Sequence, residues 1–257
     1  MTDAWDPQQY ERFRGEREQP FWDLATLVRR RGGRVADLGC GTGRLTVELH
    51  RALQARDTIG IDCSPAMLER ATGLHAQDVR FERADISTWT PGTAFDVVFS
   101  NAALQWLPDH DALLTRIGAW VAPGGELAVQ MPANFDHPSH IAAAEVAGEE
   151  PFAAAMGGYV REVSVLSPER YAELLHALGF VEQHVRMQVY AHVLDSTDSV
   201  VEWVRGTLLT DYEARMPAGL YAEFVRRYGE RLRDMVGEQR PYLYPFKRIL
   251  MWGRAPG

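Results

Sequence analysis

The chain has 257 residues, 46% of them apolar, and a formal net charge of −8. That length suits one large α/β domain, or a core domain with a smaller insertion, and the apolar share can bury a sizeable core. The acidic balance gives no reason to expect a nucleic-acid partner, and no run approaches the eighteen apolar residues of a membrane span.

Residues 1–20 are polar with spaced aromatics, Trp5, Tyr10 and Phe13. They are too few for a core of their own, and they read either as a frayed tail or as a lid over a cleft, where aromatics exclude water. This N-terminus has no apolar h-region, so no signal peptide is read and a cytoplasmic location is expected. A helix is expected over 21–31, through Phe21, Leu24 and Leu27 and ended by Gly32-Gly33. Strand one is expected at 34–38 and strand two at 58–62. Ser64 and Pro65 then open a helix carrying Met67 and Leu68, as N-cap and first helical residue. Val79–Asp85 and Phe95–Ser100 read as strands three and four, the latter apolar enough to be buried on both faces. A helix follows near 110–121, started by His110. Pro123-Gly124-Gly125 reads as a turn and Glu126–Met131 as strand five. Alternating strands and helices joined by short turns imply an α/β fold, with a doubly wound, mostly parallel sheet.

After Pro132 the rhythm changes. Residues 133–178 read as mostly helical and 181–194 as strand-like, with helices at 199–209 and 217–237 and a last strand at 248–253. In the long helix Tyr221, Phe224, Val225, Tyr228, Leu232 and Met235 make one apolar stripe. The expected organisation is a lid at 1–20, a cofactor-binding core at 21–135, and a helical cap at 136–257 whose last strands return to the sheet.

The chemistry is concentrated in Val35-Ala-Asp-Leu-Gly-Cys-Gly-Thr-Gly43. Strand, glycine turn and helix start together make a cradle for a nucleotide, with bare backbone against the ligand. Asp62 ends strand two, where a doubly wound sheet places a ribose, and a carboxylate there accepts from both hydroxyls. Asp37 stands before the glycines, where it would repel a pyrophosphate and attract an ammonium. A ligand with an ammonium, a ribose and no phosphate is S-adenosylmethionine rather than NAD. Cys40 and Cys63 follow the two strands. They have no metal or disulfide spacing, which fits a reducing compartment, and they read as small packing residues.

These residues resemble the class I S-adenosylmethionine-dependent methyltransferases. The resemblance rests on the VADLGCGTG loop, GIDCSPAML at 60–68, RADI at 83–86 and APGGELAVQMP at 122–132. A narrower resemblance is to the trans-aconitate 2-methyltransferases. It rests on Trp5, Pro7, Tyr10, Phe13, Glu16, Arg17 and Pro20, on Asn101–His110, and on Val129–Asn134, with only loose agreement over 135–247. It implies a seven-stranded Rossmann-like sheet. It also implies that Asp37, Gly39 and Gly41 hold the methionine end of the cofactor, and that Asp62 and Cys63 lie at the ribose. Met67, Asp85 and Ile86 would meet the adenine, and Asn101 and Gln105 would border the sulfonium and the acceptor. Asp96 reads as structural.

The implied reaction is monomethyl esterification of a small polycarboxylate. A carboxylate is already ionised at neutral pH, so no general base is needed. Tyr10, Arg17, Gln105, Tyr190, His192 and Arg248 are the candidates for binding the acid, with Lys247 and Tyr244 beside them. Arginine suits a carboxylate through two parallel hydrogen bonds. No metal ligands are read, and the sequence leaves the oligomeric state open. The alternatives are a methyltransferase for another small or carrier-bound acid, an NAD-dependent oxidoreductase, or a non-catalytic module that senses S-adenosylmethionine.

Overall fold

The computed structural model describes residues 14–71, 73–74 and 76–257, apart from the side chains of Arg14, Glu16 and Arg17. The lid reading of 1–20 therefore falls largely outside the described residues. The chain divides into two compact units. Residues 17–132, 164–188 and 248–257 form one, and the other takes residues 133–163 and 189–247.

The first unit is built on strands β1 (Arg34–Leu38), β2 (Asp57–Asp62), β3 (Val79–Arg83), β4 (Phe95–Asn101) and β5 (Val121–Pro132), which lie parallel in the order 3-2-1-4-5. Strand β7 (Tyr242–Arg254) adds antiparallel to β5, and β6 (Glu182–Leu194) lies beyond it as the seventh strand. The parallel strands are apolar because both faces are covered: all but the first residue of β1 is buried, and all of β4 but Asp96 and Asn101. From β1 the chain winds outward to β3, then returns to place β4 on the other side of β1. The carboxyl ends of β1 and β4 therefore flank a switch point, where sheets of this kind bind their ligands.

Local chemistry explains the element limits. Ser64 caps the helix Pro65–Ala71 by accepting from Met67 N at 3.2 Å, as its sequence position implied. The first described helix spans Arg14–Ala25 rather than 21–31. It tightens into three-residue turns through Leu27 and Val28, and Arg29 N donates to Glu126 Oε2 at 2.8 Å instead of back up the helix. The expected turn at Pro123–Gly125 lies inside β5. Phe95 pairs with Val121 but Val97 pairs with Glu126, so the residues between bulge out. The last strand begins six residues earlier than expected.

Glu126 is the anchor of this unit's edge. Its carboxylate is buried and also accepts from Trp252 Nε1 at 2.9 Å, tying β5, β7 and the residue after the first helix. Arg29 lies over the Trp252 ring at 4.4 Å. Phe21, Leu24, Leu49, Val97, Phe99, Leu250 and Trp252 pack together around it.

The second unit has its own core. Helices Pro138–Ala147, Asp198–Arg205, Leu208–Glu213 and Ala218–Val236 bury Ala143, Val146, Phe152, Trp203, Tyr212 and Phe224. Tyr221, Phe224, Tyr228 and Leu232 of the expected stripe are buried, whereas Met235 is exposed. The helix expected over 199–209 is two, because Gly206 ends the first. No described helix is long and apolar enough to cross a membrane.

Glu126→Leu should cost about 2–4 kcal/mol of unfolding free energy, because it strands the buried indole N–H and the Arg29 amide without an acceptor. Glu126→Gln keeps an acceptor and should cost markedly less. Urea denaturation of the two variants checks this, and equal losses would mean that volume rather than hydrogen bonding decides at this site.

Candidate active site

At the switch point the glycine loop turns sharply out of β1. Gly39 N and Cys40 N both donate to Ile61 O, at 2.8 and 2.9 Å, which holds the loop against β2. Gly39 has φ +78°, and an added Cβ there would lie 2.3 Å from Ala103 Cβ. That glycine is therefore required by the close approach of the segment that follows β4. Gly41 has φ +56° and faces open space, as a backbone cradle must.

Asp62 is tied to the same loop. Its Oδ2 accepts from Gly41 N at 2.8 Å and its Oδ1 from Ser64 N at 2.9 Å. A carboxylate has about four lone-pair sites, so each oxygen keeps one for a further donor. Cys63 is exposed beside it and Met67 is buried in the next helix. Asp85 lies past β3, and its Oδ1 accepts from Ser87 N at 2.8 Å. Ile86 is buried and reaches the vicinity of Gly39, with its carbonyl accepting from Arg116 Nη2 at 2.7 Å.

Asp37 is the most unusual group. It is 3% exposed, and its Oδ2 accepts from Thr46 Oγ1 at 2.6 Å. Burial and the nearby charge of Asp62 outweigh the Thr46 hydrogen bond and push its carboxyl up to about 7. The same burial, with the charges of Asp37 and Asp62, raises the Cys40 thiol far above its ordinary range, so it is no nucleophile.

The segment after β4 carries Asn101 and Gln105. Gln105 Nε2 donates to Ala102 O at 2.8 Å. Among the described residues Gln105 Oε1 and Asn101 Oδ1 are buried without a hydrogen-bond partner. His110 is the first residue of the helix His110–Gly118, and both its ring nitrogens are engaged: Nδ1 with Tyr171 OH, Nε2 with Leu104 O at 3.1 Å. Burial lowers its pKa. It holds the segment in place and is not a base. Asp96 accepts from Arg34 N at 2.8 Å and from Arg30 Nη2 at 3.0 Å at the far end of β4.

The remaining sequence candidates separate. Arg248 is 5% exposed in the sheet unit, where its Nη1 donates to Gln130 Oε1 at 3.5 Å. Tyr190 and His192 are buried in the second unit, where the His192 ring lies 6.2 Å from that of Tyr190 and 4.8 Å from that of Trp203. Also there, Tyr244 OH meets Ser139 Oγ at 3.1 Å and Lys247 pairs with Asp136. Tyr10 and the Arg17 side chain lie outside the described residues. Thr46, Arg116 and Gln130 were not singled out by the sequence reading. Only Gln130 had a signal, as the one polar residue in the buried run Leu127–Met131.

Residues 10–185 match a family described as a methyltransferase domain. A trans-aconitate 2-methyltransferase of Deinococcus radiodurans is 39% identical, over 98% of this chain and 99% of its own length. The chain belongs to the S-adenosylmethionine-dependent methyltransferases. The YcgJ protein of a Bacillus superposes with a TM-score of 0.60 at 17% identity, covering 93% of this chain and 99% of that one. A Haemonchus contortus phosphoethanolamine N-methyltransferase 2, solved with S-adenosylmethionine, superposes at 0.55 with 17% identity, covering 94% of this chain and 56% of that one. These two share the fold.

The residues of this methyltransferase fit its cofactor, S-adenosylmethionine. The buried carboxyl of Asp37 calls for a cation, which the amino-acid ammonium would supply, and the open face of Gly41 leaves room against bare backbone. The spare lone pairs of Asp62 would take the ribose hydroxyls.

The raised carboxyl of Asp37 gives a signed prediction. Below pH 7 the empty site holds a proton that must leave before an ammonium is favoured, so the dissociation constant should rise toward tenfold for each pH unit below 7. Calorimetry at pH 6 in two buffers of different ionisation enthalpy should read close to one proton released, and Asp37→Asn should erase it. Because the folded pKa lies above the unfolded one, the ionised carboxyl costs stability as pH rises from 3.8 to about 7. Asp37→Asn should therefore stabilise the empty protein at pH 8, on the order of a few kcal/mol, while weakening cofactor binding. No proton release at pH 6 would refute the assignment.

Proposed function

We propose that this methyltransferase esterifies one carboxylate of a small polycarboxylic acid, trans-aconitate, and that 21–135 and 136–257 act as cofactor core and acceptor cap. The observation that carries the reading is similarity along nearly the whole chain to proteins named trans-aconitate 2-methyltransferase, at 39% identity in Deinococcus radiodurans. The chemistry of the site supports it. The cofactor supplies a methyl already activated by its sulfonium, so a carboxylate oxygen can take it in one displacement. The new bond is O–CH₃, the S–CH₃ bond breaks with its electron pair on sulfur, and no proton moves.

The chain's residues therefore have to bind, orient and exclude water rather than move protons. Asp37, Gly39, Gly41, Asp62, Cys63, Met67, Asp85, Ile86 and Asn101 are read as the cofactor side. Gln105 and Arg248 are read on the acceptor side, with Tyr190, His192, Tyr10 and Arg17. Arg248, buried level with the carboxyl end of β5, puts a cation on the proposed acceptor side, which suits an anionic acceptor better than a neutral one. His110, with both ring nitrogens occupied, argues against an acceptor that must first lose a proton.

The expected single-turnover rate with trans-aconitate at saturation is flat from about pH 6 to 9, because a carboxylate of pKa near 4 is ionised throughout. Burial lowers the pKa of His137 to about 4 and of His140 to about 3, so neither adds a limb in that range. The product should be an ester, cleaved by mild alkali. A rate that climbs tenfold per pH unit, or an alkali-stable product, would replace the carboxylate with a phenol, alcohol or carbon acceptor.

A further inference from the structure

We propose that Gln130 is an acceptor-positioning residue, whose side-chain N–H donates to a carboxylate of the acid that keeps its charge during methyl transfer. The inference rests on the reading of the enzyme as a carboxyl methyltransferase. It starts from sheet register. Phe99 pairs with Ala128, Asn101 with Gln130, Gln130 with Leu250, and Pro132 with Arg248. Paired residues share a face, and alternate residues along a strand share it too. Asn101, Gln130 and Arg248 therefore stand on one face of the sheet, across β4, β5 and β7. Asp37 pairs with Phe99 and so faces the same way from β1.

On that face the preceding residues next to Gln130 are apolar and buried, Val97 and Phe99 on β4, Ala128 on β5, Leu250 and Trp252 on β7, and the buried carboxyls among them, Asp37 and Glu126, both have hydrogen-bond partners. At the carboxyl ends of β4 and β5 the pattern switches abruptly to polar side chains. A core strand gains nothing by burying an amide there, and an amide that lacks a partner costs stability. Gln130 is completely buried, and among the described residues its Nε2 has no hydrogen-bond partner. Its orientation is set by its other end, since Oε1 accepts from Arg248 Nη1. The donor that remains is the group a carboxylate requires. The Arg248 contact is long, 3.5 Å, so it orients the amide without consuming a strong hydrogen bond.

The neighbouring orphaned atoms have the opposite sign. Asn101 Oδ1 and Gln105 Oε1 are acceptors, suited to the positively polarised side of the cofactor and unsuited to an anion. The row thus sorts into acceptors on the β4 side and donors on the β5–β7 side. A guanidinium held against the reacting carboxylate would damp its nucleophilicity. Gln130 and Arg248 are accordingly assigned to a carboxylate that is not methylated and that binds equally in ground and transition states. Losing such a contact raises KM and leaves kcat alone.

A pair of near-isosteric variants tests this. Gln130→Met removes the donor and should raise KM for trans-aconitate at least tenfold, with kcat within threefold of the wild type. Gln130→Glu removes the donor and adds an anion, and should raise KM further. A purely structural glutamine predicts the reverse order, because glutamate would hold Arg248 more tightly and methionine would not. Calorimetric titration with S-adenosylhomocysteine, with an affinity within twofold of the wild type, shows that each variant is folded and keeps its cofactor site. If one variant fails to fold, the KM of the other decides. KM within threefold of the wild type in a folded variant, or Gln130→Glu no worse than Gln130→Met, overturns the assignment of Gln130 alone. A wild type that binds the cofactor but methylates none of a panel of di- and tricarboxylates overturns both this and the parent reading.

Discussion

The loop that leaves β1 is built around one carboxyl held out of water. Asp37 sits on the central strand, flanked by β2 and β4, with Thr46 Oγ1 against it. A carboxylate there is disfavoured by burial and by the charge of Asp62, so the empty protein carries an electrostatic cost that a bound cation relieves. Thr46 partly offsets the cost and links β1 to the helix Arg44–Ala52. The glycine loop between them cannot relax away, because Ile61 O holds two of its amides and Asp62 holds a third. Loop, Asp62 and buried Asp37 form a single preorganised set, with these hydrogen bonds already made in the protein itself.

The row beside it, across β4, β5 and β7, follows another rule. Where the glycine loop is built from backbone amides and acids, the row at the ends of β4 and β5 and the middle of β7 is built from amide side chains and one guanidinium. His110 contributes only by holding the backbone of Leu104, next to Gln105. As the acceptor site proposed above, such a row would discriminate by charge and hydrogen-bond count rather than by proton transfer.

Much of the sheet was legible in the sequence because parallel strands write themselves as short apolar runs closed by Gly or Asp. β1 and β2 are of this kind, and β4 is an apolar run closed by Ser100 and Asn101. The N-terminal half of β7 was not legible: Tyr242, Tyr244 and Phe246 alternate inward, but Pro245 and the exposed Leu243 between them mask the period. The extension of β5 through Pro123–Gly125 was hidden because turn residues and a bulge have one composition. The early end of the first helix depends on Glu126, far along the chain. The turn at the glycines and its tie to Asp62 were legible as a local motif, since they act through nearest-neighbour geometry. Gln130 was not, because its role appears only when register brings it diagonal to Arg248, 118 residues away.

The sheet unit is written discontinuously, and this bears on its synthesis. Residues 248–257 belong to it, yet they follow the whole of 189–247, which belongs elsewhere. Leu250 and Trp252 are core members, and Glu126 finds its indole partner only in β7. A nascent chain that has released β1 to β5 therefore presents an open β5 edge with an unfilled row beside it, the kind of edge that pairs with other chains. Residues 133–163 and 189–236, which carry the helices of the other unit, leave the ribosome before the strand that covers that edge. Until β7 emerges, the growing chain lacks both the strand and the side chains that close it.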